Sequence, residues 1–444
     1  MGTDQISFID PAGLAFGLAM CVLVLLVPRK WSLVPVFALT CYMTLGQQLL
    51  VFTLNFTLLR IVILFARLRI LVRQEFRGLR LNVIDKTLIW YVFFSIVTYT
   101  ALRLTAEALI YKLGGAYNVI GLYFIFRCFV RDLDEAKQAV RLLAVMVIPL
   151  AGAMFFERMT QRNPFATFGG VAPITGIRDG VLRCQGPFGH AILAGSFGAT
   201  LLPLFFALWW HGKDKLRGLM GMVSSLVITL VAGSSTPVLS AAVGVGALAF
   251  WPLRRQMRTL RWTLLFTLIM LHLVMKAPVW FIIAHLSVFS ASTAFYRAEL
   301  IDMAIRNLDE WWFIGMLSTD HWGEGFFDVT NQFVRIGVDG GLISMLLYIF
   351  VIIHCFRGVG FAMKSTGYRT GSDQKFLWAL GSALFAHIIT FLGVSYFDQN
   401  IVTFYLLLAM ISMVSGPYLL SRKAANGFAL PLAVTAGAQS KSPR

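Results

Sequence analysis

HAILAGSFGATLLPLFFALW, His190 to Trp209, carries no Asp, Glu, Lys or Arg. It matches the ~20 apolar residues that carry an α-helix across the ~30 Å hydrocarbon core of a bilayer. The run is apolar on every side rather than along one stripe, a pattern stable only when lipid or other helices surround it. Directly before it lies GIRDGVLRCQGPFG, Gly176 to Gly189, with Arg178 and Arg183 in a stretch of glycines and a proline. A charged, irregular segment therefore runs straight into a membrane span.

The rest of the chain extends this reading. Of 444 residues 58% are hydrophobic and 13% charged, and mean hydropathy is +0.75. Soluble domains average about 45–50% apolar and about 25% charged residues, so a water-soluble globule is excluded. Apolar runs at 8–27, 32–46, 51–66, 87–103, 115–130, 140–156, 190–209, 217–233, 236–253, 262–282, 333–354, 377–395 and 399–419 predict an all-α, polytopic integral membrane helix bundle of about 12–13 transmembrane helices. No period of 20–50 residues repeats. The predicted organisation is N-terminal spans over 1–157, a first long loop over 158–189, spans over 190–282, a large loop over 283–332, C-terminal spans over 333–420 and a tail over 421–444.

The formal charge of +17 would point to nucleic acid in a soluble protein. Here the basic residues cluster in alternate connections: Arg29 and Lys30, the stretch 67–86, the region 127–141, 213–217, 254–261, 357–375 and the C-terminal tail. The positive-inside rule places these in the cytoplasm, with the N-terminus periplasmic and the C-terminus cytoplasmic. No nucleic-acid partner is needed. The first span lacks a preceding basic segment, so it reads as retained rather than as a cleaved signal. Both long loops then fall on the extracytoplasmic side, where chemistry is expected. The five cysteines show no CxxC or metal-like spacing, and no P-loop, HExxH, GxSxG or DxD motif is present, so neither cofactor nor metal is expected.

Four stretches carry candidate chemistry. The first is Gly176 to Gly195, where Arg178 and Arg183 approach a helix starting near His190. A helix N-terminus favours anions, and guanidinium forks suit phosphate; the alternative is pairing with Asp179. The second is AGSSTP, Ala232 to Pro237, a tight turn whose small residues suit close helix packing. The third is FYRAELIDMAIRNLDEWW, Phe295 to Trp312, which places Ile301, Ala304, Ile305, Leu308 and Trp312 on one face of an interfacial amphipathic helix. Its Arg297 either projects toward an anion or pairs with an acid such as Glu299. The fourth is DVTNQFVRIGVDGGLISMLL, Asp328 to Leu347, with Arg335 and Asp339 four residues apart on one helix face. That pair is either functional or an internal packing contact. Arg60, inside a span, requires a partner or a polar cavity.

Together RCQGPFGHAILAG, FYRAELIDMAIRN, EWWFIG and TNQFVRIGVDGGLISMLL resemble the O-antigen ligase and O-antigen polymerase family, including exopolysaccharide polymerases of the bacterial inner membrane. The resemblance covers about 180–350. It implies a glycosyltransferase similar to the GT-C class, which polymerises glycan repeat units carried on undecaprenyl pyrophosphate at the periplasmic face without metal or nucleotide. Membrane lipids, and a chain-length regulator of the assembly system, are the implied partners. As catalytic residues it implies Arg183, Arg297 and Asn331; around the substrate it implies Arg178, His190, Tyr296, Arg335 and Asp339. Ligases of the family carry a histidine, the proposed base, where this chain has Thr330. His190, His321, Glu324 and Asp328 are substitutes to weigh. Polymerisation is therefore expected over ligation to a lipid A-core acceptor, with transport of lipid-linked glycan as a reading from another class.

Overall fold

The computed structural model describes residues 9–51, 54–210, 214–285, 291–364 and 371–427. The N-terminal octapeptide and most of the expected tail, with Lys213, Arg369, Lys441 and Arg444, lie outside the described residues. The chain is helical almost throughout: α1 (Pro11–Leu26), α2 (Leu33–Tyr42), α3 (Leu58–Val72), α4 (Val83–Arg103), α5 (Ala106–Phe129), α6 (Leu133–Thr160), α7 (Ala191–Trp210), α8 (Lys215–Val231), α9 (Ser235–Ala249), α10 (Met257–Val274), α11 (Ile282–His285), α12 (Ala291–Arg306), α13 (Leu308–Trp311), α14 (Gln332–Lys364), α15 (Gly371–Phe391) and α16 (Gln399–Gly427). Among the described residues seven helices are long and apolar enough to cross a membrane. These mark a multi-pass membrane protein.

Helix starts follow from short polar side chains that accept otherwise orphaned backbone N–H groups. Asp10, Thr57, Thr105 and Asp132 cap α1, α3, α5 and α6. Asn82 and Asp85 form a reciprocal capping box on α4. α7 and the membrane-length part of α16 are almost wholly buried, whereas α10 is exposed all round. The bundle is thus built around α7 and α16.

Each expected span contains a helix, with two corrections. The run 32–46 is not a full-length helix, because α2 ends at Tyr42. Ten residues rise about 15 Å, half the hydrocarbon thickness. The segment 43–47 that follows is a bend and a turn, with Met43, Thr44, Leu45 and Gln47 all buried. Irregular backbone at such depth is tolerated only inside protein. Here Gln399 Nε2 donates to the Met43 carbonyl at 3.0 Å, and the Asp10 N–H donates to Gln47 Oε1 at 2.8 Å. The run 51–66 likewise becomes helical only at Leu58, after a hairpin of β1 (Gln48–Val51) and β2 (Leu54–Thr57). A second hairpin pairs β3 (Gly176–Arg178) with β4 (Val181–Arg183).

At one end of the bundle, called here the basic end, arginines close helix termini. Arg69 Nη1 donates to the Val24 and Val27 carbonyls, each at 2.7 Å, and Arg69 pairs with Glu75 at 3.0 Å. Buried Asp85 accepts from Tyr123 at 2.5 Å, Arg127 at 3.2 Å and Ser412 at 3.0 Å, joining α4, α5 and α16. The opposite, loop end carries both long loops.

The third and fourth sequence stretches form one unit at the loop end. α14 breaks at Gly341, whose φ of 75° and ψ of 174° belong to a region open essentially to glycine alone. The break leaves backbone groups that the chain after α13 fills. Met316 N–H donates to the Val338 carbonyl, and Leu342 N–H to the Trp312 carbonyl, both at 2.8 Å. The approach is close enough that a Cβ on Gly315 would lie 2.3 Å from the Val338 oxygen, and one on Gly341 2.3 Å from the Phe313 oxygen. Beneath this joint Leu300, Ala304, Trp311, Met316, Trp322, Phe326, Val329, Val334 and Val338 make a satellite core. Of the expected stripe only Ala304 enters it; Ile305, Leu308 and Trp312 stay exposed, the side an interfacial helix would give to lipid.

Gly341→Ala combines a glycine-only conformation with a backbone clash. It should destabilise the protein by more than the ~1–3 kcal/mol of the backbone strain alone. Gly360→Ala, in the same helix with no atom within 4 Å of the added methyl, should not. Thermal unfolding of both variants in one detergent checks the contrast.

Candidate functional site

The turn 392–398, between α15 and α16, is where the loop-end elements meet. Asn331 Nδ2 lies 3.5 Å from the Leu392 carbonyl, and Gln332 Oε1 accepts from the Tyr396 N–H at 2.7 Å. His190 sets its ring edge-on to Phe397 at 5.9 Å between centroids. A Cβ on Gly393 would stand 3.0 Å from Arg297 Nε and 2.5 Å from Thr236 Oγ1. One on Gly189 would stand 3.3 Å from Asp398 Oδ2. The glycines therefore let Arg297 and Asp398 lie against bare backbone.

Arg297 comes from α12 and Arg183 from the end of β4. They belong to one electrostatic cluster with Arg178. Burial first, then the positive charges of Arg183 and Arg178, pull Arg297 down to about 10. Arg183 is lowered by burial and by Arg178, with Asp179 partly opposing. At neutral pH Arg297 remains a cation. Among the described residues neither Arg183 nor Arg297 forms an ion pair, so the expected alternative of an Arg297–Glu299 pair is not found; Arg183 Nε is buried without a hydrogen-bond partner. Arg178 is more exposed and lies 3.9 Å from Asp179. Like charges held together and out of water are costly, and such an arrangement favours an anion between them.

The hairpin bearing Arg183 is held from below. α6 runs to Thr160, beyond the expected end at 156, and its last turn supplies the braces. The buried Glu157 carboxylate accepts from the N–H groups of Gln185 at 3.1 Å and Gly186 at 2.8 Å, and from Thr175 Oγ1 at 3.1 Å. Arg158 Nη1 donates to the Leu182 carbonyl at 3.1 Å. From the side, Cys184 N–H donates to the Val231 carbonyl at 3.2 Å. Gly233 at φ 57° sits so close that a Cβ would reach 2.5 Å from the Leu182 oxygen. AGSSTP thus serves close packing, as expected, and also brings the buried Thr236 beside Arg297.

Asp398 is the residue that sequence reasoning passed over. It precedes α16, adopts φ 50°, and burial pushes its carboxyl up to about 6. A carboxylate titrating just below neutrality matches the requirement for a general base. Its neighbours Gln399 and Asn400 are buried, with Gln399 Oε1 and both side-chain polar atoms of Asn400 lacking partners.

The other expected residues are placed differently. Asn331 Oδ1 caps α14, accepting from Phe333 N–H at 2.9 Å and Val334 N–H at 3.2 Å, a backbone-organising role. Tyr296 Oη donates to the Gly325 and Asp328 carbonyls at 2.9 and 2.7 Å and stacks on Phe326; it clamps the large loop. Arg335 and Asp339 pair with each other at 3.5 Å and face Lys112 rather than Arg297. His321 pairs with Glu310 at 2.8 Å on the surface, and Glu324 and Asp328 are exposed. The structure therefore groups Arg183, Arg178 and Arg297, with Thr236 beside Arg297, and sets His190 and Asp398 along the same turn at Phe397 and Gly189. Among the described residues no group of three or more His, Cys, Asp and Glu side chains is arranged to hold a metal ion.

Glu157→Ala would strand three donors in a buried position, each costing about 1–3 kcal/mol. The β3–β4 hairpin should loosen, and limited proteolysis should cut within 170–183 several-fold faster than in the parent protein. No known protein family, curated protein or solved structure matches this chain.

Proposed function

We propose that the chain is a bacterial inner-membrane glycosyltransferase that polymerises undecaprenyl-pyrophosphate-linked repeat units at the periplasmic face. The observation that carries this reading is the pair of unpaired, partly desolvated guanidinium groups, Arg183 and Arg297; Asp398, whose carboxyl burial raises, lies in the turn 392–398 that Arg297 approaches at Gly393. In the reaction an acceptor hydroxyl attacks the anomeric carbon of the donor glycan. The bond from that carbon to the diphosphate oxygen breaks, and the lipid diphosphate leaves with one more negative charge. Arg183 and Arg297 stabilise that growing charge, the task metal ions perform elsewhere. Asp398 takes the proton of the hydroxyl, the part a histidine at position 330 would play in the ligases that the motifs resemble. Thr330 cannot act as a base at neutral pH, which favours the polymerase over the ligase.

Arg183→Ala and Arg297→Ala, introduced separately into the producing cell, should each lower polymer formation about 10²–10³-fold, the usual cost of a lost oxyanion-type donor. Lysine at either position should rescue poorly, because it lacks the planar fork. Long-chain polysaccharide at normal levels from both alanine variants would overturn the proposal.

A pH profile tests the base. As pH falls through about 6, Asp398 takes up a proton and can no longer accept one. Activity of the purified protein should therefore fall on the acid side with a midpoint near that value. Asp398→Asn should lose most of the activity, and its residue of activity should no longer show that acid limb. An unchanged limb in Asp398→Asn would assign the base elsewhere.

A further inference from the structure

A second cationic cluster lies at the loop end, away from the turn 392–398. Arg103 closes α4, Lys112 lies two turns into α5, and Arg335 lies in the first turn of α14. The Arg103 guanidinium stands 3.8 Å from the centre of the Tyr99 ring and Lys112 Nζ 4.2 Å from the same centre. Lys112 Nζ and Arg335 Nε both reach Asp339 Oδ2, at 3.0 and 3.5 Å. One carboxylate thus serves two cations, with Arg103 beside them on the Tyr99 ring. Arg103 Nη1 and the neighbouring Thr100 Oγ1 are buried without hydrogen-bond partners. The two clusters are electrically separate. The charges that act on Arg297 are those of Arg183 and Arg178, and none of Arg103, Lys112 or Arg335 figures among them.

Depth and surroundings narrow the ligand. Arg335 and Asp339 lie three and seven residues into α14, about 5–10 Å along the helix from its loop-end terminus. Arg335 is 42% exposed, and the adjoining surface of α5 exposes Leu109, Tyr111 and Leu113. The cluster therefore opens sideways toward acyl chains. Guanidinium and ammonium donors near a helix end, in excess over their one acid and flanked by exposed apolar surface, match the phosphate of a lipid.

We propose that Arg103, Lys112 and Arg335 form a second lipid-phosphate site, separate from the Arg183–Arg297 cluster, which holds the diphosphate of a second lipid-linked chain. The second-chain assignment rests on the polymerase reading, since joining two repeat units requires two lipid-linked glycans on the protein at once. The site itself rests only on the geometry.

The test counts bound lipid. The full chain, in nanodiscs of phosphatidylcholine, is titrated with undecaprenyl diphosphate, and bound equivalents are counted by native mass spectrometry. Two per chain are expected, falling to one in Arg103→Gln/Arg335→Gln. A single equivalent on the unaltered protein would overturn the proposal without recourse to any variant. A second arm adds phosphatidylglycerol at equal concentration. Retention of the second equivalent supports a substrate site, whereas its displacement assigns the residues to bulk anionic lipid and overturns the second-chain role. Arg183→Gln/Arg297→Gln should also bind one equivalent. If that variant instead keeps both while Arg103→Gln/Arg335→Gln loses one, the second site stands and the proposed reaction site falls.

Discussion

Backbone polar groups that leave a helix inside an apolar bundle must find partners within the protein, and this constraint organises the loop end. α14 breaks at Gly341, and the turn after α13 fills the break with two backbone hydrogen bonds. α2 stops at Tyr42, and the turn that follows is tied down where Gln399 donates to the Met43 carbonyl. Gln399 also donates to the Pro187 carbonyl, so one buried side chain ties the interrupted second span to the start of α7. Each repair fixes a loop against the bundle. The loops so fixed are those that carry Arg183, Arg297 and Asp398.

That rigidity matters for the electrostatics. Freely moving arginines would separate and hydrate. Here Glu157 and Arg158 brace the hairpin bearing Arg183, and the joint between α13 and α14 holds the unit that presents Arg297. Burial then acts on the two kinds of group in opposite senses, lowering the guanidinium of Arg297 and raising the carboxyl of Asp398. Both shifts favour the less charged form. A leaving diphosphate reverses the first effect by supplying negative charge, and an incoming hydroxyl proton reverses the second by neutralising the carboxylate. In the proposed reaction, charge developing during glycosyl transfer would relieve a cost already present at both groups.

Much of the helical scaffold was legible in the amino-acid sequence, because all-round apolar runs have few other solutions. Arg183, beside glycines and a helix start, and Arg297, near the start of a helix, are singled out one by one in the sequence; that Arg297 feels the charge of Arg183 comes from the fold. Three features were not read, for distinct reasons. The hairpin around Asp179 and Gly180, with φ of 51° and 73°, has an Asp-Gly turn signal that an arginine-centred reading overlooked. Glu157 lies just past an apolar run, where a carboxylate looks like a solvated helix end; only the fold shows it buried against Gln185 and Gly186. Asp398 sits in a short connection with no motif, and its environment comes from Gly46, Gly189 and burial, all long-range. Arg335 and Asp339 read as a pair, either functional or an internal packing contact, because helical spacing puts them on one face. Their third partner, Lys112, comes from a distant helix that spacing cannot reveal.

The central claim is that a lipid diphosphate is gripped between Arg183 and Arg297. Its most direct test is a cryo-EM structure of the chain in nanodiscs with undecaprenyl diphosphate. The account expects phosphate density within hydrogen-bonding distance of both guanidinium groups, beside the turn 392–398. Saturating ligand with density only at other surfaces, and none between these two arginines, would contradict it.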